Sequence, residues 1–325
     1  MVLLGLCAPA LAGQGFVVVA DGKAQCPIVL NEGAGEAETF AAEELRSHLN
    51  RISGSEFQVT SAAAGTLDGP GIFIGTGKVA LKGFQPPQEA GLDGFTIRSD
   101  DKSLVICGDN DRGTLYGVYT YLESLGCRWW TPTESTIPKM ATITAADLNV
   151  RQVPRLEYRD MMYQESWDGD GKLWYVRNKL NGFAWSDPSA KYGGRYKFIG
   201  NLVHSYNSLL EASGEELTED MWALRDGKRR VKQQPCLSNE KTLAAMIKGA
   251  VNLYRKTPGA RFIVVGQEDN KSYCQCEKCA AIDAAEESHS GQVITFANKV
   301  AETLEKEIPG ACVCTPAYEW SRKPP

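Results

Sequence analysis

Several kinds of feature are missing from this sequence of 325 residues, and each absence excludes a class of protein. No apolar stretch is long enough to span a bilayer, so an integral membrane protein is not expected. Positive charge is not in excess, since 35 Lys and Arg stand against 40 Asp and Glu, and neither nucleic acid nor an anionic membrane is expected as a partner. No glycine-rich phosphate-binding turn follows any candidate strand, which argues against a dinucleotide-binding domain.

Histidine is also scarce, with three residues, whereas cysteine is plentiful, with ten. No Cys–His–Asn arrangement that would activate a nucleophilic thiol is evident, and His289 lies in a polar segment. Cys26, Cys107 and Cys127 have apolar sequence neighbours, so they are predicted to be small core residues.

Four of the other cysteines form a pattern that predicts a cross-link. Cys274, Cys276 and Cys279 are spaced Cys-x-Cys-x-x-Cys, and Cys236 precedes them. Four thiolates make a closed tetrahedral Zn²⁺ site, which is structural because no position is left for water. Two disulfides are the alternative, favoured in an oxidising compartment. Either cross-link would hold the loop after a candidate strand at 262–265, and catalysis is expected to require no cofactor.

The N-terminal segment has the features of a secretory signal peptide. Residues 1–12 are apolar and end in Ala10, Leu11 and Ala12, the small-x-small pattern of a cleavage site, although no basic residue precedes the apolar run. A buried first strand is the alternative. The signal peptide predicts that the protein is secreted or periplasmic.

Residues 16–150 are predicted to form one domain, an N-terminal α/β sandwich. Candidate strands lie at 16–20, 71–75, 94–98 and 103–107, and candidate helices at 36–52 and after residue 113. The polar turn at 108–113 is expected to cap the second helix through Asp or Asn, with anion binding as the less favoured alternative.

Residues 151–325 are predicted to form the first part of a TIM (β/α)₈-type barrel. Candidate strands lie at 156–159, 180–185, 198–203, 262–265 and 312–314, with helical apolar stripes at 243–254 and 293–304. Strands that alternate with helices imply parallel pairing. The segment is shorter than the roughly 250 residues of a typical barrel. A C-terminally truncated barrel is therefore expected, whose missing half or a partner chain would cover the open sheet edge.

Several motifs carry a resemblance to known enzymes. The segments 155–160, 179–185 and 262–269 and the strand that ends at His204 resemble the first four barrel strands of β-N-acetylhexosaminidases and α-glucuronidases. The motifs at 112–119 and 128–133 resemble the non-catalytic domain that those enzymes carry ahead of the barrel. The chain also resembles an uncharacterised bacterial glycosidase-like family of unknown function, through residues 269–270, 273–279 and 322–325.

The resemblance implies a glycoside hydrolase that cleaves glycosidic bonds of an oligosaccharide or polysaccharide by acid/base chemistry. Such hydrolysis needs one carboxylic acid that protonates the leaving oxygen and a second group opposite it. Hexosaminidases carry an Asp-Glu pair after the fourth strand, and this chain has Glu268 and Asp269 there in reversed order. Neighbouring strand residues point to opposite faces, so only one should line the mouth unless a bulge intervenes. Asp269 is favoured, and a helix cap or a loop ion pair is the structural alternative.

Other candidates follow the ends of predicted strands. Glu319 is the preferred second carboxylate, with Asp160 and Asp187 as alternatives. Aromatic faces suit the apolar side of a sugar ring, and the resemblance implies that His204 binds a sugar hydroxyl. The predicted carbohydrate-contacting residues are His204, Tyr206, Trp185, Asp160, Asn270 and Trp320.

Two other classes of function remain open from the sequence. A non-catalytic carbohydrate-binding or scaffold module, stabilised by the cysteine cluster, would bind a glycan and release no product. A metal-storage or redox protein built on the thiols is the third, less favoured interpretation.

Overall fold

The computed structural model describes residues 15–63, 69–76, 92–183, 186, 188–196 and 198–325. The chain is a mixed α/β protein of two compact units, Met1–Arg195 and Tyr196–Pro325, each with its own hydrophobic core. The candidate signal peptide at 1–12, Trp185 and Asp187 lie outside the described residues. The domain boundary after residue 150 stays a prediction.

The first unit contains two main sheets. Its strands are β1 (Phe16–Ala20), β2 (Lys23–Ala24), β3 (Ile28–Asn31), β4 (Val59–Ala62), β5 (Gly71–Thr76), β6 (Phe95–Ser99), β7 (Ser103–Gly108), β8 (Arg128–Trp129), β9 (Ser135–Thr136), β10 (Ile143–Ala145) and β11 (Asn149–Gln152). Six of them form a sheet in the order β11-β6-β7-β5-β3-β4, which is parallel from β7 to β4 and antiparallel at β6 and β11. The small sheet β10-β1-β2 is antiparallel, and β8 pairs with β9.

The helices of this unit are α1 (Glu36–Ser53), α2 (Asp111–Ser124) and α3 (Gly169–Arg177). Helix α1 connects the parallel strands β3 and β4, and its apolar stripe, which includes Leu45 and Leu49, is buried. Asn110 caps α2 by accepting a hydrogen bond of 2.8 Å from the Gly113 N–H, as expected of the polar turn. Strands β6 and β7, close to the predicted strands at 94–98 and 103–107, form an antiparallel hairpin.

The first two predicted barrel strands are wrong as far as the structure describes them. Residues 156–159 and 180–183 form no ladder. The Arg159 N–H donates to Asn181 Oδ1 at 2.8 Å, and the Asn181 N–H donates to the Arg159 carbonyl at 2.9 Å. A side-chain amide thus replaces a main-chain partner, and the alternating pattern of a ladder cannot continue.

The second unit contains a parallel sheet of three strands. Its strands are β12 (Phe198–Ile199), β13 (Leu224–Arg225), β14 (Lys228–Arg229), β15 (Phe262–Val264) and β16 (Cys312–Cys314), and its helices are α4 (Tyr206–Ala212), α5 (Glu240–Lys256), α6 (Glu277–Ala285) and α7 (Ser290–Glu307). The sheet order is β12-β15-β16, with both pairs parallel, and β13 and β14 form a hairpin. Strand β12 is shorter than the predicted 198–203, because Gly200 has a left-handed φ of 68° that interrupts the extended backbone.

Helices α5 and α7 each bury one face, as their sequence stripes predict. Asn239 caps α5 through hydrogen bonds from the Lys241 and Thr242 N–H groups. Gly249 lies where α5 crosses α4 closely, since a Cβ at this position would meet the Leu209 carbonyl oxygen at 1.9 Å. No helix in the described ranges is both long enough and apolar enough to cross a membrane.

Candidate functional site

The candidate site lies at the carboxyl end of the parallel sheet β12-β15-β16. Because parallel strands end at the same edge, the segments that follow them meet there. His204 follows β12, residues 267–270 follow β15 and residues 318–320 follow β16. The structure therefore brings together six of the predicted residues, which are His204, Glu268, Asp269, Asn270, Glu319 and Trp320.

His204 is fixed by the segment that follows β15. Its Nδ1 lies 2.9 Å from the Gln267 carbonyl oxygen. A carbonyl can only accept, so Nδ1 carries a proton and Nε2 is the ring nitrogen left for a further partner. The ring also meets that of Tyr318 edge-on, with 5.8 Å between centroids. One face of the candidate site is therefore built from residues more than 60 positions apart in the sequence.

The backbone is left-handed at two candidate residues. His204 has a φ of 53° and Glu319 a φ of 52°. Such conformations in residues other than glycine cost about 1–3 kcal/mol and occur where surrounding contacts enforce them. At His204 the contact is the hydrogen bond of Nδ1 to the Gln267 carbonyl. Glu319 forms an exposed ion pair with Lys271, 3.3 Å between Oε2 and Nζ.

Glu268 is half-buried beside α4. Its Oε1 accepts a hydrogen bond of 2.8 Å from the Asn207 N–H in the first turn of that helix. This is the helix-cap arrangement that the sequence left open as an alternative to catalysis. Burial raises the pKa of Glu268 above its ordinary value, although the Asn207 hydrogen bond and nearby His204 oppose the shift. The carboxyl group therefore holds its proton to higher pH than a free glutamate does.

Asp269 has a different environment from its neighbour. It is exposed, and its Oδ1 accepts a hydrogen bond of 3.0 Å from the Tyr318 hydroxyl. This hydrogen bond is the main reason that the pKa of Tyr318 is raised. The two adjacent carboxylates thus turn to different partners in the loop that follows β15, which ends at Val264.

Two contributors to this edge were missed in the sequence. The buried Gln234 side chain donates to the carbonyls of Glu268 at 2.8 Å and Asn270 at 3.1 Å, and it accepts from the Glu268 N–H at 3.2 Å. A lone amide in a loop gives no sequence signal of such a role. Tyr318 had a usable signal, since it directly precedes Glu319 after the last strand.

Aromatic side chains complete the edge. The Trp320 Nε1–H donates to the Asn270 carbonyl at 3.1 Å, which positions the indole against the loop after β15. Its ring lies 5.5 Å from that of Tyr273 at an angle of 44°. Trp320 is partly exposed, so part of the ring remains open to solvent.

Tyr206 and Asp160 are two further predicted carbohydrate contacts. Tyr206 is a correction: its side chain has 0% exposure and packs edge-on against Phe296 at 6.1 Å, so neither ring face is open to a sugar. The reason is its position at the start of α4, on the side that faces the core. Asp160 belongs to the first compact unit, where its carboxylate accepts hydrogen bonds from the Tyr158 and Tyr175 hydroxyls and the Met161 N–H.

The cysteines divide as the sequence suggested. Cys26, Cys107 and Cys127 are buried in the first unit, which confirms them as core residues. The sulfur atoms of Cys236, Cys274, Cys276 and Cys279 lie within 4.8 Å of one another, and these four thiols are free. They are the residues in the described part of the chain that are grouped closely enough to hold a metal ion.

Two family models match the chain. The model described as Domain of unknown function (DUF4838) matches residues 129–325, and the model described as Glycosyl hydrolase family 67 N-terminus matches residues 22–121. These matches confirm the predicted relationship to an uncharacterised glycosidase-like family and to glycoside hydrolases.

Curated relatives agree with the family matches. A probable alpha-glucuronidase A of Aspergillus fumigatus is 26% identical over 196 residues, which cover 57% of this chain and 22% of the relative. A probable alpha-glucuronidase A of Neosartorya fischeri is 34% identical over 102 residues, which cover 30% of this chain and 12% of the relative. The chain thus spans less than a quarter of the length of these relatives.

Two solved structures resemble the chain at low sequence identity. A family GH115 4-O-methyl-alpha-glucuronidase with specificity for decorated arabinogalactans has 14% identity and a TM-score of 0.49, covering 90% of this chain and 41% of the other. A GH20 beta-N-acetylhexosaminidase from Streptomyces coelicolor A3(2) has 14% identity and a TM-score of 0.43, covering 93% of this chain and 63% of the other.

Proposed function

Given that the chain belongs to the DUF4838 family, described as a domain of unknown function, we propose that it hydrolyses glycosidic bonds in an oligosaccharide or polysaccharide. The observation that carries the proposal is the pair Glu268 and Asp269, which lies at the carboxyl edge of a parallel sheet beside His204. That edge is where (β/α)₈ barrels place their catalytic groups, and a barrel-type arrangement of this unit is part of the proposal.

Glu268 acts as the general acid in this proposal. Burial raises its pKa, so its carboxyl group keeps the proton to a higher pH than a free glutamate does and can donate it to the leaving oxygen. Asp269 serves as the second carboxylate, since it is exposed and held by Tyr318. Two carboxyl groups in unlike environments are the usual way in which one site supplies both an acid and a base.

The neighbouring side chains supply contacts to the sugar. Nε2 of His204 forms a hydrogen bond with a sugar hydroxyl, because Nδ1 is already bound to the Gln267 carbonyl. The partly exposed ring of Trp320 stacks on the apolar face of a pyranose. Glu319, paired with Lys271, lies at the same edge and is the reserve candidate for the second carboxylate.

An α-linked glucuronic acid is the first substrate class to test. The similarity to proteins named alpha-glucuronidase and the match to the glycosyl hydrolase family 67 N-terminus support this choice. Secretion or a periplasmic location belongs to the same proposal, because residues 1–12 have the pattern of a signal peptide.

The test is to incubate the purified chain with oligosaccharides that carry α-linked glucuronic acid and to quantify released sugar by chromatography. We expect product release by the unchanged chain. Glu268→Gln should lower the rate by about 10²–10⁴-fold, because it removes the transferable proton. Asp269→Asn should also lower the rate strongly.

The matched control is Glu305→Gln, an identical change at an exposed position of α7, which should retain the full rate. If Glu268→Gln and Asp269→Asn both cleave at the rate of the unchanged chain, the assignment of the acids is wrong. Glycan binding measured by calorimetry without any product release would instead support the non-catalytic binding module.

A further inference from the structure

The four-cysteine cluster has the dimensions of a metal site. The Sγ of Cys236 lies 3.7 Å from the Sγ of Cys276 and 4.0 Å from that of Cys279. A tetrahedron with Zn–S bonds of about 2.3 Å has edges of about 3.8 Å, which agrees with both separations. Cys236, Cys274 and Cys279 are buried, and Cys276 is partly exposed.

Polar groups around the sulfur atoms favour thiolates. The Leu224 N–H donates to the Sγ of Cys274 at 3.3 Å. The Ser238 hydroxyl lies 3.5 Å from the Sγ of Cys236 and 3.4 Å from that of Cys276. The Leu224 N–H, and the single Ser238 O–H directed to one of the sulfur atoms, would orient the ligands and stabilise their negative charge in a metal site.

We propose that Cys236, Cys274, Cys276 and Cys279 bind one Zn²⁺ ion, and that this ion has a structural role. Four thiolates fill the coordination sphere, so no position remains for water or for a sugar oxygen. The same donor set suits iron, but we assign zinc, whose closed four-thiolate sites lie in loops and knuckles of this kind. This inference goes beyond the proposed hydrolysis and does not depend on it.

The ion would stabilise the contact between Gln234 and the loop after β15, which carries the candidate acids. Gln234, which binds the backbone of Glu268 and Asn270, lies two residues before Cys236. Cys274 follows Asn270 in the same loop after β15. A bond from each cysteine to one ion therefore fixes the two chain segments that Gln234 joins.

The β13–β14 hairpin is tied to the same centre. The Gln275 N–H donates to the Leu224 carbonyl at 2.7 Å, and the Asp226 N–H donates to Gln275 Oε1 at 3.0 Å. The guanidinium of Arg225 lies 4.3 Å from the centroid of the Tyr273 ring. Loss of the ion would therefore loosen the hairpin together with the loop after β15.

The centre is accessible from one side. A cavity of about 460 Å³ reaches Cys236, Ser238 and Cys276 and is open to solvent, with Lys241 and Lys278 at its wall. It gives a path by which an ion enters and by which a small chelator reaches it.

The full chain is purified without a metal-affinity column. Its metal content is then measured by inductively coupled plasma mass spectrometry. We expect one zinc per chain, and we expect the four cluster cysteines to titrate as free thiols after denaturation with a chelator. Stoichiometric iron in place of zinc would overturn the proposal, and so would a metal-free protein whose four cysteines form two disulfides.

Two matched variants locate the site. Cys276→Ser should lower the retained zinc about tenfold or more after dialysis against a chelator. Cys312→Ser changes another partly exposed cysteine of the same unit, outside the cluster, and should retain one zinc. Equal zinc in Cys276→Ser and the unchanged chain would refute the site. The readout is zinc content, so it is independent of whether any glycan is cleaved.

Discussion

At the scale of single residues, Glu268 combines a structural and a chemical property. Its carboxylate accepts from the first turn of α4, and the same position is half-buried. A helix N-terminus favours negative charge, whereas burial disfavours it. Burial prevails here, since the pKa of Glu268 is raised. If Glu268 served only as a helix cap, its ionised form would be the stabilising one and its pKa would be expected to be lowered.

The raised pKa has a consequence for stability against pH. The folded state prefers the protonated carboxyl group, so its contribution is fully present below the unfolded pKa of about 4.3 and is lost as pH rises through the folded pKa. Glu268→Gln keeps the acceptor for the Asn207 N–H and removes the charge. The Tm of the variant minus the Tm of the unchanged chain, measured by calorimetry, should therefore be larger at pH 7 than at pH 4.

Glu305→Gln again serves as the matched control. Its side chain is exposed on α7, so the difference in Tm should be nearly the same at both pH values. A Glu268→Gln protein that loses more stability at pH 7 than at pH 4 would show that the ionised form is the one that the fold stabilises.

At the scale of elements, the crossing of α4 and α5 depends on one glycine. Glycine inside a helix ordinarily costs about 1 kcal/mol relative to alanine. At Gly249 the close Leu209 carbonyl reverses the preference, because a Cβ at 1.9 Å from that oxygen must separate the helices. We expect Gly249→Ala to lower the free energy of unfolding by about 1–3 kcal/mol, as measured by urea denaturation.

The reverse change at an exposed position is the comparison. Ala244→Gly in the same helix should cost about 1 kcal/mol, because it affects helix propensity and no packing contact. If Gly249→Ala instead stabilised the protein, helix propensity would outweigh the helix–helix contact, and the close crossing would be wrong.

At the scale of the whole molecule, the two compact units have separate cores and unlike sheets. Strand β5 lies between β7 and β3, and its residues 71–75 are buried. Strand β12 pairs with β15 alone within the described residues, over two residues. Central strands open only with much of the domain, whereas short outer strands open locally.

Hydrogen exchange should therefore distinguish the sheets. In the full chain, peptides that contain β5 are expected to exchange at least tenfold more slowly than peptides that contain β12, as measured by mass spectrometry. Peptides of β7, which has β5 and β6 on its two sides, are the internal reference and should match β5. Faster exchange in β5 than in β12 would contradict the described sheet order.

The sequence alone predicted the features that depend on residues close to one another along the chain. The buried stripes of α1, α5 and α7 follow from helical periodicity, and the cap at Asn110 follows from a polar turn before an apolar run. The spacing of the four cysteines and the acids after β15 were likewise readable, as was the relationship to glycoside hydrolases.

Only the tertiary structure decided how these pieces are used. It buries Tyr206, separates the partners of Glu268 and Asp269, and places Tyr318 and Gln234 against the loop after β15. Each outcome rests on contacts between residues that are at least 34 positions apart along the chain. Local patterns report the turn or strand in which a side chain lies, whereas burial and hydrogen-bond partners depend on which distant segment folds against it.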